Sequence, residues 1–307
     1  MNGKPKIMVK RIGGAGDVLL TTPVLKALKE KYPTSRLTFV VSQYGSEVIK
    51  DHPLIDEIIT CPHGYEEVLD YRREGEDLIY TLWYENRPDQ HIVDAYALCA
   101  GVKLASRQYI IQLGEDDRNA AKKLLLQTDA PPNALNRPLI GVHRGPSWPH
   151  RMWAPEKFRL VLQFFKNNCG AAVVEFSKTR EMYLGEGIDL TGRTTIKQAA
   201  AVLAECDLLI CIDSLFLHLA GAVQTPVVAV FGCTDPDKRL PFNDISVGVQ
   251  TKGSCRGCHH RYAGAFNSRC RREKIYCLEE VDPEEVINRA INLLERKGVP
   301  RTGTRSR

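Results

Sequence analysis

The stretch that most constrains the fold is residues 207–236, DLLICIDSLFLHLAGAVQTPVVAVFGCTDP. Residues 208–212 are a short apolar run of the kind a buried parallel strand makes. The run stops at Asp213-Ser214, residue types that favour helix N-caps. A helix is expected from Leu215, with Leu217, Leu219, Ala220 and Ala222 making it apolar enough to pack on a sheet. Thr225-Pro226 ends it, and residues 227–231 supply a second strand. Strand, turn, helix and strand make a βαβ unit. In such a unit the free amides and positive dipole end of the helix lie at the carboxyl edge of the sheet, where phosphate ligands bind. Asp213, Ser214, the Leu215 and Phe216 amides, and His218 one turn on would all belong to that edge. The plain alternative is a capped helix and a satisfied, partly buried histidine.

The start of the chain repeats the pattern. Residues 6–12 are β-rich, and Gly13-Gly14-Ala15-Gly16-Asp17-Val18 leads into a helical pattern of Leu20, Val24, Leu25 and Leu28. Residues 37–41 form the next strand, which gives a Rossmann-like opening. A dinucleotide fingerprint would need G-x-G-x-x-G and an acidic end to the second strand. Here Leu19 stands where the third glycine belongs, and the strand ends in Ser42-Gln43, so a dehydrogenase is disfavoured. Gly14 and Gly16 let a substrate approach the backbone, and Asp17 would sit at the helix start facing the carboxyl edge. A carboxylate there can be a general base or a helix cap.

A chain of 307 residues with 43% hydrophobic content suits two α/β halves of about 130 to 160 residues each. Alternating strands (56–59, 77–82) and helices (93–98, 116–126) fill the first half. Tyr80, Trp83, Tyr84, Arg87, Asp89, Gln90 and His91 form an aromatic, polar loop that could hold a sugar or be an ordinary loop. Residues 128–138 are polar and proline-rich and read as a linker, giving domains at 1–130 and 138–295. The second half opens with a strand at 139–143, a loop carrying Arg144, Ser147 and Arg151, and a helix at 156–167. A strand at 171–176 follows, with Glu181 beyond its carboxyl end, and a helix at 195–204 leads into the opening stretch. The last helix is amphipathic and spans 281–294.

Net charge is +5, from 42 basic and 37 acidic residues, which is not a nucleic-acid binder's excess. No apolar run approaches the roughly 18 residues that span a bilayer, and no signal-peptide h-region is visible, so a soluble, cytoplasmic protein is expected. Six of ten cysteines are scattered as small core residues. The other four, Cys255, Cys258, Cys270 and Cys277, lie in a basic loop at 252–277 that lacks obvious secondary structure. Their C-x2-C-x11-C-x6-C spacing suits a closed tetrahedral site of zinc or iron, a structural rather than catalytic metal, with His259 or His260 as substitute ligands. Reduced thiols or a disulfide are the alternatives.

Two segments together carry a resemblance. D-S-x-x-x-H-x-A-G-A-x-x-x-P-x-V-A-x-F-G at 213–232 and K-R-I-G-G-A-G-D-V-L-L-T-T-P-V-L-K-A-L-K at 10–29 resemble the C-terminal and N-terminal motifs of the heptosyltransferase family, glycosyltransferase family 9. The resemblance covers most of the chain and implies a GT-B fold, two Rossmann-like domains facing each other across a cleft. It implies that Asp17 is the catalytic base and that the second domain binds a nucleotide-sugar, by analogy ADP-heptose. Arg151, two residues before Trp153, matches the family's phosphate-contacting lysine, although arginine differs from lysine in reach and geometry. Glu181 matches the residue that accepts from the donor ribose, and residues 194–196 would lie against the base. Leu215 departs from the family, which has glycine there, and its side chain would crowd the diphosphate. The implied activity is inverting, metal-independent transfer to a hydroxyl of lipopolysaccharide core. That would allow association with the cytoplasmic face of the inner membrane. A protein- or small-molecule-directed glycosyltransferase of the same fold, or a non-catalytic, metal-stabilised nucleotide-binding protein, are the other readings. Cysteines in this region hold iron in autotransporter-modifying relatives.

Overall fold

The computed structural model describes residues 4–62, 64–126, 137–261, 270 and 272–298. The chain divides into two compact units, residues 1–112 and 113–307.

The first unit runs β1 (Lys6–Arg11), α1 (Ala15–Leu19), α2 (Thr22–Lys31), β2 (Arg36–Ser42), α3 (Gln43–Ile49), β3 (Glu57–Cys61), α4 (Tyr65–Asp70), β4 (Leu78–Thr81) and α5 (Ile92–Ala100). Its four strands are parallel, in the order β3-β2-β1-β4. Residues 7–11 of β1 and 37–42 of β2 are all buried, as expected of strands covered on both faces. The order reverses beside β1. β2 and β3 lie to one side, β4 to the other, and the loops leaving β1 and β4 are therefore neighbours at the carboxyl edge.

The second unit begins with α6 (Glu115–Leu126), which packs on α8 (Ile196–Ala204). The sequence pattern groups that helix with the first half, whereas its apolar partner lies in the second. The linker read at 128–138 falls mostly outside the described residues. There follow β5 (Leu139–His143), α7 (Pro155–Cys169), β6 (Ala172–Phe176), β7 (Ile188–Asp189), α8, β8 (Leu208–Ile212), α9 (Leu215–Val223), β9 (Val227–Phe231) and β10 (Ser246–Gln250). The six parallel strands take the order β10-β9-β8-β5-β6-β7, so the reversal here lies between β5 and β8. Trp153, Phe158 and Phe165 are buried in a core shared with β5, β8, β9 and the last helix, α12 (Pro283–Arg296). Each such side chain contributes about 2 to 3 kcal/mol by leaving water.

Residues 252–276, expected to lack secondary structure, carry the one-turn α10 (Cys258–Arg261) and the start of α11 (Tyr276–Glu279). Strand β10 was not legible in the sequence. It is an edge strand with Gly248 at its centre, and only Val249 is buried. Among the described residues, no helix is long and apolar enough to cross a membrane.

Candidate active site

At the reversal of the second sheet, Asp213 directly follows β8 and α9 begins after Ser214. Asp213 is 2% exposed and accepts a hydrogen bond from Thr234 Oγ1 at 2.7 Å. Arg151 Nε lies 3.6 Å from its Oδ2. Burial alone would raise the Asp213 carboxyl, but Arg151, Arg239, the Thr234 hydroxyl and His218 outweigh it and hold the group far below the usual carboxylate range. Asp213 is thus a buried anion around which cations are gathered. Arg239, itself 4% exposed, was not singled out from the sequence because it follows a 3₁₀ turn with no motif around it.

Arg151 ends a 3₁₀ turn at Pro149–Arg151, and its guanidinium lies 4.3 Å from the centre of the Trp148 ring. That turn rests on the backbone after β9. A Cβ at Gly232 would meet the His150 carbonyl oxygen at 2.1 Å, so only glycine lets the turn settle there.

Ser214 is the N-cap residue of α9, yet its side chain makes no cap bond. Its Oγ instead meets His143 Nδ1 at 3.0 Å, joining the ends of β8 and β5 across the reversal. The His143 ring stacks on Phe216 at 4.1 Å and 12°, and Phe216 also packs on Phe176 at 5.2 Å. Burial pushes the His143 imidazole down to about 3, so it is neutral at physiological pH. Leu215 and Phe216 are half-buried, and their amides belong to the first turn, which has no intrahelical acceptor. His218 is buried on α9 beside the Asp213 charge. His143 itself escaped the sequence reading, because only the folded sheet places it beside Ser214.

Glu181 is exposed in a 3₁₀ turn at Arg180–Met182, whose carbonyls at 181 and 182 accept from Arg144 at 2.9 and 2.6 Å. Arg144 therefore fastens this turn to the end of β5. The buried carboxylate of β6 is Glu175, which accepts from the Leu184 and Glu186 amides at 2.7 Å each and serves the fold.

At the reversal of the first sheet, Asp17 sits on α1 and Oδ2 accepts from the Gly14 amide at 3.2 Å. Gly13 has φ of 136°, and a Cβ there would lie 2.5 Å from Asp17 Oδ2. Glycine is therefore required at position 13, whereas Gly14 contributes only its backbone amide and Gly16 lies within α1. The other oxygen, Oδ1, is 3.6 Å from Arg11 Nη2. The Asp17 side chain is 25% exposed and Arg11 only 1%. In the aromatic loop, Tyr84 packs edge-on to Tyr96 at 6.0 Å and His91 caps α5, accepting from Val93 N at 3.2 Å. Those two members of the loop serve the fold.

Burial first, and then the neighbouring thiols of Cys258, Cys255 and Cys270, push the Cys277 thiol up to about 12. Among the described residues, however, no group of three or more His, Cys, Asp or Glu is placed to hold a metal ion. The loop touches the Arg151 region. The His259 amide donates to the Cys233 carbonyl at 3.0 Å, and its ring lies 5.6 Å from Trp148.

Comparison with known proteins bears on the family and the fold. The profile of glycosyltransferase family 9 (heptosyltransferase) matches residues 71–264. Lipooligosaccharide heptosyltransferase 2 of Campylobacter jejuni is 32% identical over 94% of this chain and 98% of its own length. A glycosyltransferase family 9 structure from Veillonella parvula superposes with a TM-score of 0.75 at 22% identity, covering 96% of this chain and 99% of that one. The iron-containing dodecameric glycosyltransferase TibC of enterotoxigenic E. coli superposes at 0.72 with 16% identity, covering 97% of this chain and 77% of that one. The likeness extends over both Rossmann-like units of the GT-B fold, and with the family profile and the Campylobacter relative it makes this chain a glycosyltransferase belonging to family 9, the heptosyltransferases.

Proposed function

We propose that the chain transfers a heptose from ADP-heptose to a hydroxyl of lipopolysaccharide core, with inversion at the anomeric carbon. The observation that carries this reading is that each unit places its chemistry-bearing aspartate at the carboxyl edge of its own sheet, beside the reversal of strand order. The relatives' activities point the same way.

Asp17 takes the proton from the acceptor hydroxyl. The oxygen attacks the anomeric carbon, the bond from that carbon to the diphosphate oxygen breaks, and its electron pair leaves with ADP. Gly14 and Gly16 leave the backbone open to the acceptor. Arg151, the Leu215 and Phe216 amides, Ser214 and His218 receive the charge that builds on the diphosphate, and Asp213 holds Arg151 and His218 in place. Glu181 is the candidate for the donor ribose. The acceptor places the enzyme at the cytoplasmic face of the inner membrane.

Cys255, Cys258, Cys270 and Cys277 would hold zinc or iron, which would fix the loop against Cys233 and the Arg151 turn. Their C-x2-C-x11-C-x6-C spacing supports this. Metal analysis of purified protein is expected to give one equivalent, lost in Cys258→Ser.

The test of the activity is incubation with ADP-heptose and a heptose-deficient core acceptor, reading ADP release and the mass of the product. Product heavier by one heptose is expected. ADP release that is equal with and without acceptor would overturn the assignment.

A further inference from the structure

The aspartate read as the base is not alone at its end of the first sheet. Arg11, the last residue of β1, is buried to 1% exposure, with its guanidinium carbon 5.0 Å from the centres of both Tyr84 and Tyr96, two rings that meet edge-on at 6.0 Å. Nη1 donates to the Leu82 carbonyl at 2.9 Å and to Glu85 Oε2 at 3.2 Å, and Nη2 donates to Glu85 Oε1 at 2.8 Å. Glu85 Oε2 also accepts from the Tyr84 amide at 2.9 Å, which fixes the carboxylate on the loop after β4. Asp17 Oδ1 stands 3.6 Å from Nη2, close enough to feel the charge but beyond a hydrogen bond. Burial opposes the Arg11 charge, and Tyr96, Asp17 and Glu85 more than restore it, so the guanidinium stays protonated.

A buried arginine with a carboxylate in reach ordinarily closes a bidentate pair, which engages both oxygens and weakens the carboxylate as a base. Here that fork is already taken. We propose that Arg11 and Glu85 are a positioning pair for Asp17, in which Arg11 orients one carboxylate oxygen while Glu85 occupies the guanidinium fork and keeps Asp17 from being closed into an ion pair. The proposal rests on the reading of Asp17 as the base. The guanidinium is held in place by Glu85 at both terminal nitrogens and by the Leu82 carbonyl at one of them, with the Tyr84 and Tyr96 rings against it. What remains adjustable is which carboxylate owns the fork.

The experiment compares Glu85→Gln, Arg11→Lys, Arg11→Met, the Arg11→Met/Glu85→Gln double variant and Asp17→Asn in the full chain. Folding is checked by thermal melting and by ADP affinity. Glu85→Gln is expected to lower kcat about tenfold or more with both KM values within about twofold, since an amide releases the fork toward Asp17. Arg11→Lys should recover part of the activity lost in Arg11→Met. Adding Glu85→Gln to Arg11→Met should cost nothing further, because without the guanidinium Glu85 has nothing to restrain. Unchanged kcat in Glu85→Gln, or a double variant that falls by the product of the two singles, overturns the pair while leaving the base assignment standing. Wild-type kcat in Asp17→Asn overturns both.

Discussion

Each sheet reversal has an aspartate at its carboxyl edge, Asp17 in the first turn of the helix after β1 and Asp213 directly after β8, and the two stand in opposite surroundings. Asp17 keeps a quarter of its side chain in solvent, and its cation stands off at 3.6 Å with its hydrogen bonds spent on Glu85. Asp213 is 2% exposed, bonded to Thr234, and surrounded by the charges of Arg151, Arg239 and His218. The first arrangement leaves a carboxylate open to solvent. The second surrenders its carboxylate to the interior so that several cations can be held together where a diphosphate would arrive. Position at the strand end therefore does not tell the two roles apart; exposure and the ownership of the neighbouring arginine do.

The comparison breaks first at Asp17. Asp17→Ala is expected to lower kcat by about 10²- to 10⁴-fold while ADP affinity stays within about twofold, read by steady-state kinetics beside calorimetric titration. A variant that loses ADP binding instead would merge the two roles.

At Asp213 the expected loss is of stability. Asp213→Asn leaves buried cations without their anion and should cost about 3 kcal/mol in denaturant unfolding at neutral pH. The native pKa is depressed, so the stabilisation is present above the unfolded value near 4 and fades as pH falls below it. The gap between wild type and variant should therefore narrow below about pH 4. A gap independent of pH would show that the carboxylate's charge is not what holds the cations.

A smaller effect sharpens the same edge. His143 is held neutral to about pH 3, whereas the unfolded imidazole protonates near 6.5, so wild type loses stability on acidification through that window. His143→Gln keeps a polar partner for Ser214 and removes the proton uptake. Between pH 7 and pH 5 it should lose about 2 kcal/mol less than wild type in chemical unfolding. Equal losses would mean that other histidines carry the acid response.

Most of the strands, β10 apart, and the two glycine-or-cap turns were legible because each is written locally, in apolar runs of strand length bounded by breakers. Asp17, Asp213 and Ser214 stood out for the same reason. Their partners were not. Arg11 meets Glu85 across 74 positions of sequence and Ser214 meets His143 across 71, and only strand pairing brings those together. Lys10 and Arg11 look like the exposed end of a strand in a one-dimensional pattern, yet both are buried under the loops that follow β3 and β4. The cap expected of Ser214 is absent, and its Oγ lies instead 3.0 Å from His143 Nδ1 at the end of the neighbouring strand.

Gly232 reaches further than its size suggests. It touches no candidate substrate group and carries no charge, but the His150 carbonyl rests in the space its missing side chain leaves, and Arg151 is the next residue along. A methyl group there would force that turn off the sheet and move the Arg151 guanidinium with it, so Gly232→Ala should both lower the melting temperature and, on the proposed reading of Arg151, weaken ADP binding in a titration. Silent positions of this sort are where a mutational survey would mistake architecture for chemistry.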